Sequence, residues 1–149
     1  MNQADFEGLV NDTTKRVSGD ITWAGDEDHS PTVEFRVEIQ SDVGYPMFVK
    51  GSDNALAAAL SYSLVHRASG RIYALDLGKD HHNPSCKNVG EKHKHRWNEP
   101  VRDKEAYAPD DITAPPTDPV AVWRQFCGEA KIQHDGVMHP PPPIQMELL

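Results

Sequence analysis

Hydrophobic and polar residues alternate most regularly in residues 32–40, where every second side chain is apolar. A period of two places successive side chains on opposite faces of an extended strand. One face then packs on a core while the other meets water, as is typical of antiparallel sheets. The apolar positions of this predicted strand are Val33, Phe35, Val37 and Ile39.

Other segments have the composition of strands, and one of them is ambiguous. Residues 55–67 begin with alanines, which favour a helix. Leu60, Tyr62 and Leu64 nevertheless alternate with polar residues, and residues 68–70 have the composition of a hairpin turn, so we interpret the second half as a strand. The remaining predicted strands are residues 20–23, 45–50, 71–77 and 92–97. Together these segments predict an antiparallel meander of five to six strands.

Two segments have the apolar spacing of amphipathic helices. The first is residues 5–17, for which Asn2 or Asp5 can serve as the cap. The second is residues 118–132, which begins with the aspartate and proline typical of an N-cap and a first helical position. Its apolar stripe contains Val122, Trp123, Phe126, Cys127 and Ala130. The sequence therefore predicts an α+β fold, in which an N-terminal helix, the meander and a C-terminal helix follow in order. The C-terminal helix is expected to pack on the apolar face of the strand at residues 32–40.

The length of 149 residues fits one domain, which we place at residues 1–136. Consecutive prolines at positions 140–143 favour polyproline II, so residues 137–149 are predicted to be a mobile tail. No apolar run reaches the roughly 18 residues of a membrane-spanning helix, and the first residues lack the features of a secretion signal. Cys86 and Cys127 are far apart, which favours reduced thiols and a cytoplasmic location. The oligomeric state is not defined by the sequence.

The net charge of −8 is unevenly distributed. Residues 1–80 contain 13 acidic and 7 basic side chains, and residues 109–149 contain 6 acidic and 2 basic ones. Residues 81–108 reverse this balance, with 6 basic and 4 acidic side chains. An acidic protein repels nucleic acid at long range, so a phosphate-binding site has to be local. We expect such a site in the basic segment.

The basic segment also contains a cluster of histidines. His93 and His95 are two residues apart on a predicted strand, so both imidazoles are expected on one face. His81 and His82 come from the segment that precedes this strand. Asp76, near the end of the preceding predicted strand, can orient an imidazole through its ring N–H.

Three functions could use these residues. The first is a small hydrolase, either a toxin-like ribonuclease or another phosphodiesterase, which needs a histidine acid, a histidine base and a guanidinium for the phosphate. Its candidate catalytic residues are His82, His93, His95, Asp76 and Arg71. The second is a domain stabilised by a divalent metal such as zinc, without catalysis. Its candidate ligands are His81, His82, His93 and His95. The third is an acidic interaction protein, of the phage–host conflict or inhibitor type, that binds a basic protein partner.

The sequence does not decide among these functions or establish that the protein is an enzyme. A fourth interpretation is that the histidine strand is polar, exposed and without chemistry. We favour hydrolysis, with RNA as the expected partner, because three features coincide within residues 71–97. These features are the basic segment, the histidine cluster and a carboxylate at the end of a strand that begins with an arginine.

The order of these motifs resembles a family of short bacterial proteins of unknown activity. Its members share an Arg-x-x-x-Leu-Asp strand, a His-x-Asn-Pro turn, a His-x-His strand, an Ala-Tyr/Phe segment and a Phe-x-x-Cys helix. The matching positions here are Arg71, Leu75, Asp76, His81 or His82, Asn83, Pro84, His93, His95, Ala106, Tyr107, Phe126 and Cys127. Ser85 and Cys86 follow the turn where the family tends to have Asp-Gly. The resemblance supports the order of elements and the interest of the histidines, and it implies no particular reaction.

Overall fold

The computed structural model describes residues 1–25, 31–78, 92–96, 106–107 and 112–142. Within residues 92–96 the side chain of His95 is described, and residues 106–107 are described by their backbone alone. Two helices are present in these ranges, α1 (Gln3–Asn11) and α2 (Pro119–Ala130). The strands are β1 (Arg16–Ser18), β2 (Ala24–Gly25), β3 (Val33–Ile39), β4 (Met47–Asn54), β5 (Ala59–His66), β6 (Gly70–Leu77), β7 (Lys92–Arg96), β8 (Ala106–Tyr107) and β9 (Gln133–Asp135).

Strands β2 to β8 form one sheet in which spatial order follows chain order. Every pairing within it is antiparallel, so the predicted antiparallel meander and the α+β class are confirmed. The described sheet has seven strands where five to six were predicted, because the two-residue strands β2 and β8 also pair with it. The alternating segment at residues 32–40 corresponds to β3, which pairs with β4 along its whole length. The helical half of the prediction is also confirmed, since α1 precedes the sheet and α2 follows it.

Helix α1 ends earlier than its apolar spacing predicts, at Asn11 rather than at residue 17. The chain turns there because the Asp12 carboxylate accepts hydrogen bonds from the Thr14 amide, at 2.8 Å, and from the Thr14 and Ser41 hydroxyls. Lys15 is fully buried, and its ammonium donates to the carbonyls of Leu9 and Val10 at 2.7 and 2.9 Å. These carbonyls are the orphan acceptors of the last helical turn.

Strand β1 pairs in parallel with β9 and forms a second, two-stranded sheet. The chain after β9 continues this connection, since the Ile21 amide donates to Val137 and the His139 amide donates to Ile21. Trp23 adds a bond from its indole nitrogen to the His139 carbonyl at 3.1 Å. Residues 137–139, which begin the predicted tail, are thus hydrogen-bonded to the segment after β1. The domain boundary at residue 136 and the mobility of the following residues stay predictions.

Helix α2 packs on one face of the sheet through Trp123, which is 2% exposed. Its indole meets the ring of Phe35 edge-on at 5.8 Å between centroids and the ring of Tyr62 at 5.2 Å. The predicted contact between this helix and the apolar face of β3 is therefore confirmed. The Tyr62 hydroxyl donates to the Pro119 carbonyl at 2.7 Å, which fixes the first turn of the helix against β5.

Phe35 fits at this position because its partner across the β3–β4 ladder is Gly51. The ring lies over the glycine backbone, so that a Cβ at position 51 would overlap it. This close approach allows Phe35 to meet Trp23 edge-on at 4.8 Å while also contacting Trp123. Among the described helices, none is both long enough and apolar enough to cross a membrane.

Candidate functional site

The face of the sheet away from α2 carries mostly polar side chains. Leu60, Tyr62 and Leu64 of β5 are buried on the helix side, so the residues between them project to the other side. Directly paired residues share a face, which extends this surface across the neighbouring strands. One row of paired positions is Glu34, Ser52, Ser61, Asp76 and His93, and the next is Arg36, Lys50, Ser63, Ala74 and His95.

Asp76 and His95 are in contact on this polar face. The His95 Nε2 atom lies 3.2 Å from the Asp76 Oδ2 atom. The other carboxylate oxygen, Oδ1, accepts a hydrogen bond of 2.6 Å from the Ser61 hydroxyl. Asp76 is 8% exposed and His95 is 4% exposed, so the pair is largely removed from water. Burial strengthens a charge-assisted hydrogen bond because the local dielectric constant is lower.

The contact is diagonal across the β6–β7 ladder. The residue directly opposite His95 is Ala74, whereas Asp76 lies opposite His93. Ala74 has only a methyl group, and it is fully buried. The small side chain leaves space for the imidazole to lean toward Asp76, and diagonal neighbours in a sheet are within reach of long or aromatic side chains.

The order of contacts in this group differs from that of a serine hydrolase. In such enzymes the histidine lies between the serine and the carboxylate and takes the proton of the nucleophile. Here Asp76 lies between Ser61 and His95. The geometry therefore gives Ser61 the role of a donor that positions the carboxylate. The other oxygen of the same carboxylate, Oδ2, lies 3.2 Å from the Nε2 atom of His95, which places the carboxylate beside the imidazole ring.

Arg71 reaches the same face through an irregularity in the sheet. It is five residues before Asp76, an odd separation that places two side chains on opposite faces of a regular strand. The β5–β6 register shifts between Leu64 and Val65, so that Arg71 pairs with Val65. Arg71 is three residues from Ala74, roughly 10 Å along the strand. The backbone thus places this guanidinium group on the polar face, next to the row that contains His95.

The remaining predicted site residues are described in part or lie outside the described residues. His81 and His82 are outside them, and His93 is described by its backbone position opposite Asp76. Within the described part of the chain, no group of three or more His, Cys, Asp or Glu side chains could hold a metal ion. The metal ligand set that includes His81, His82 and His93 stays a prediction.

The interpretation of the histidine strand as polar and exposed is wrong for His95. That residue is 4% exposed, and β7 lies between β6 and β8 instead of at an edge. The consequence for experiments is that replacing His95 disturbs a packed position.

Sequence reasoning also missed Ser61, whose only signal was its place in the alternation of residues 60–64.

Fold and site together define a class: α+β proteins with a buried aspartate–histidine pair on the polar face of an antiparallel meander. The chain belongs to a family of unknown function (DUF6978), which matches residues 1–132. That match includes both helices and the sheet that carries the pair. Neither the curated proteins nor the solved structures contain a significant match.

Proposed function

We propose that the protein is a small phosphodiester hydrolase that cleaves RNA through the 2′-hydroxyl of the substrate. The observation that supports this proposal is the buried contact between Asp76 and His95. A histidine that a carboxylate orients is the group most often used to transfer protons near neutral pH. The polar face around it offers hydroxyl groups and basic residues, and it is separate from the packed face under α2.

His95 acts as the general base in this proposal. In this proposal the Asp76 carboxylate accepts a hydrogen bond from the Nε2–H group of His95, and the Nδ1 atom takes the proton of the 2′-hydroxyl. The 2′-oxygen then forms a bond to phosphorus while the bond from phosphorus to the 5′-oxygen breaks. A second acid gives its proton to the departing 5′-oxygen. The products are a 2′,3′-cyclic phosphate and a free 5′-hydroxyl.

The second acid is assigned to His93 or His82. His93 occupies the backbone position opposite Asp76 and is two residues from His95. His82 belongs to the segment before β7 and was selected by sequence alone. In either case one imidazole has to accept a proton while another donates one, as acid–base catalysis requires.

Arg71 supplies the positive charge that the phosphate needs. A guanidinium group binds two phosphate oxygens at once, which fixes the orientation of the scissile bond. Lys50 is exposed on the same face, opposite Ser63, and adds a second cation. Local cations matter in this chain because its net charge of −8 repels RNA at a distance.

The test uses a fluorescent RNA oligonucleotide together with the same sequence carrying 2′-O-methyl groups. Cleavage of the first alone, giving 2′,3′-cyclic phosphate ends, is the expected result. His95→Gln and Asp76→Asn should lower the rate by about 10²- to 10⁴-fold. His66→Gln is the matched control, because it removes an imidazole at the end of β5 that has no place in the mechanism. Far-ultraviolet circular dichroism and melting curves establish that each variant is folded.

The effect of metal ions on cleavage separates this metal-free mechanism from metal-dependent hydrolysis. Cleavage should persist in EDTA, because the 2′-hydroxyl is the nucleophile and histidines transfer the protons. Loss of activity in EDTA with recovery in Zn²⁺ would overturn the metal-free mechanism. A folded wild-type protein that cleaves neither RNA, DNA nor simple phosphodiesters, with or without Zn²⁺ or Mn²⁺, would overturn hydrolysis altogether.

A further inference from the structure

A second buried carboxylate, Asp53, lies on the helix side of the sheet. It is 5% exposed and belongs to β4, where it pairs with Leu60 of β5. Leu60 is buried in the core, so Asp53 shares its face and not the face of Ser61 and Asp76. Asp53 therefore lies apart from the proposed catalytic group, with the sheet between them.

No hydrogen bond or ion pair joins the Asp53 carboxylate to any residue in the described part of the chain. Burial alone raises the pKa of this carboxyl. The buried aspartate on the other face differs, since Asp76 contacts both Ser61 and His95. Buried charges in proteins are normally paired, because an unpaired one costs several kcal/mol of solvation. A carboxylate that is 5% exposed and has no partner among the described residues would gain an ion pair from a ligand that reaches it.

The Asp53 carboxylate faces a groove with a volume of about 250 Å³. The walls of the groove are mainly apolar, with Ala55 and Ala58 on one side and Pro116 and Pro119 at the start of α2. Three further prolines at residues 140–142 complete the wall. The groove therefore combines a single negative charge with rigid, apolar sides that carry few hydrogen-bond donors, since proline has no backbone N–H.

We propose that this groove binds the side chain of a lysine from a polypeptide partner, with its ammonium group on Asp53. A lysine has a four-carbon apolar stem and a compact charge at its end. The stem would lie along the proline and alanine walls, and the ammonium would meet the buried carboxylate. The lysine thus complements the groove in two ways, because its apolar stem matches the apolar walls and its positive charge matches the negative charge of Asp53.

The charge distribution supports a cation from another molecule. Residues 1–80 and 109–149, which supply every described residue of the groove, have an acidic excess. Residues 143–149, which directly follow the prolines of the groove, contain no lysine or arginine. A partner with an exposed lysine is favoured on both counts, because long-range attraction and the local ion pair have the same sign.

The test is a titration of the full-length, ¹⁵N-labelled protein followed by NMR. The probes are a pentapeptide with one central lysine flanked by glycines, the same peptide with norleucine, and free spermidine. The lysine peptide should shift the amides of Asp53, Ala55, Ala58 and Thr117, and the norleucine peptide should not. Asp53→Asn should weaken the binding of the lysine peptide by at least about tenfold, because a hydrogen bond to a charged group is stronger than one to a neutral group. Glu7→Gln removes the same charge from an exposed position of α1 and should leave binding unchanged.

Three results would overturn the proposal. Equal shifts with the norleucine peptide would show that the groove selects apolar chains. Unchanged affinity in Asp53→Asn, with the variant folded by its melting curve, would remove the carboxylate from the interaction. Binding of spermidine without binding of the lysine peptide would assign the groove to free polyamines.

Discussion

Asp53 and Asp76 are buried carboxylates on opposite faces of one sheet, and they differ in what surrounds them. Asp76 accepts a hydrogen bond from Ser61 and contacts the ring of His95. Asp53 has no such contact with any described residue, and burial raises its pKa. The same substitution should therefore destabilise the protein at Asp76 and should not destabilise it at Asp53.

Asp76→Asn should lower the free energy of unfolding at pH 7 by about 1–3 kcal/mol, because it disturbs a buried network that depends on a charged acceptor. Asp53→Asn should leave that free energy unchanged or raise it, because it removes an unpaired buried charge. Urea unfolding of both variants measures the two effects. Destabilisation of Asp53→Asn equal to that of Asp76→Asn would indicate a partner for Asp53.

The Asp53 effect has a defined pH dependence. A carboxyl whose pKa is raised on folding contributes stability below its unfolded pKa, near 3.8, and loses that contribution as the pH rises through the folded value. The advantage of Asp53→Asn over the wild type should therefore be largest at neutral pH and shrink as the pH falls toward 4. An advantage that grows on acidification would contradict the raised pKa.

Lys15 should make stability rise with pH in the alkaline range. Burial lowers its pKa from 10.5 to about 8, the Asp12 carboxylate opposes this shift and Lys131 adds to it. The unfolded chain therefore binds more protons than the folded one between pH 8 and 10.5, which stabilises the folded state by up to about 1.4 kcal/mol per pH unit as the pH rises.

Lys15→Met isolates this effect, because it keeps an apolar stem and removes the titrating amine. Burial raises the pKa of Cys127 to about 12, so this thiol makes stability fall above pH 9 in wild type and variant alike. The quantity to measure is the difference in unfolding free energy between wild type and Lys15→Met at pH 8, 9 and 10. As the pH rises from 8 to 10, the wild type should gain stability relative to Lys15→Met. A difference that stays constant over this range would exclude a lowered pKa for Lys15.

Trp123→Ala should cost about 3–5 kcal/mol, as large-to-small changes in a core do. The indole is 2% exposed and contacts Phe35 and Tyr62. Arg124→Ala is the matched control on the same helix, because that side chain is exposed. Thermal or urea unfolding provides the comparison, and a melting curve of Trp123→Ala that matches the control would refute the packing of α2.

Two glycines should respond oppositely to alanine. A methyl group at position 51 would overlap the ring of Phe35, so Gly51→Ala should destabilise by about 1–3 kcal/mol. Gly128 is exposed within α2 and a methyl group there meets nothing, so Gly128→Ala should stabilise by about 0.5–1 kcal/mol. Melting temperatures of the two variants should move apart, and a parallel shift would contradict this account.

The elements that sequence alone predicted are those whose signals are local. The alternation of β3 and the capping pair at the start of α2 each lie within a few consecutive residues, and both elements are present. Helix α1 was predicted too long because Val17 fits a helical period, although it lies in β1. Its early end depends on Asp12 accepting from the Thr14 amide, a local turn that the apolar pattern does not report.

The candidate site depends on information that single segments do not contain. Asp76 and His95 are nineteen residues apart in the sequence, and their contact needs the pairing register of β6 and β7. The face of Arg71 depends on a register shift between Leu64 and Val65. Asp53 was overlooked because the residues around it, Gly51 to Asn54, have the composition of a turn, whereas β4 continues through them.

The pairing of β1 with β9 sets the order in which this chain can fold during synthesis. His134 bonds to Gly19, and Trp23 to His139, across sequence separations of 115 and 116 residues. At about 5–20 residues per second, a ribosome adds the second strand roughly 6–23 s after the first. Small domains commonly fold within microseconds to seconds. The edge of β1 and the indole of Trp23 thus stay uncovered for seconds after their own synthesis, and the nascent chain can close this sheet only after residues 133–139 have left the ribosome.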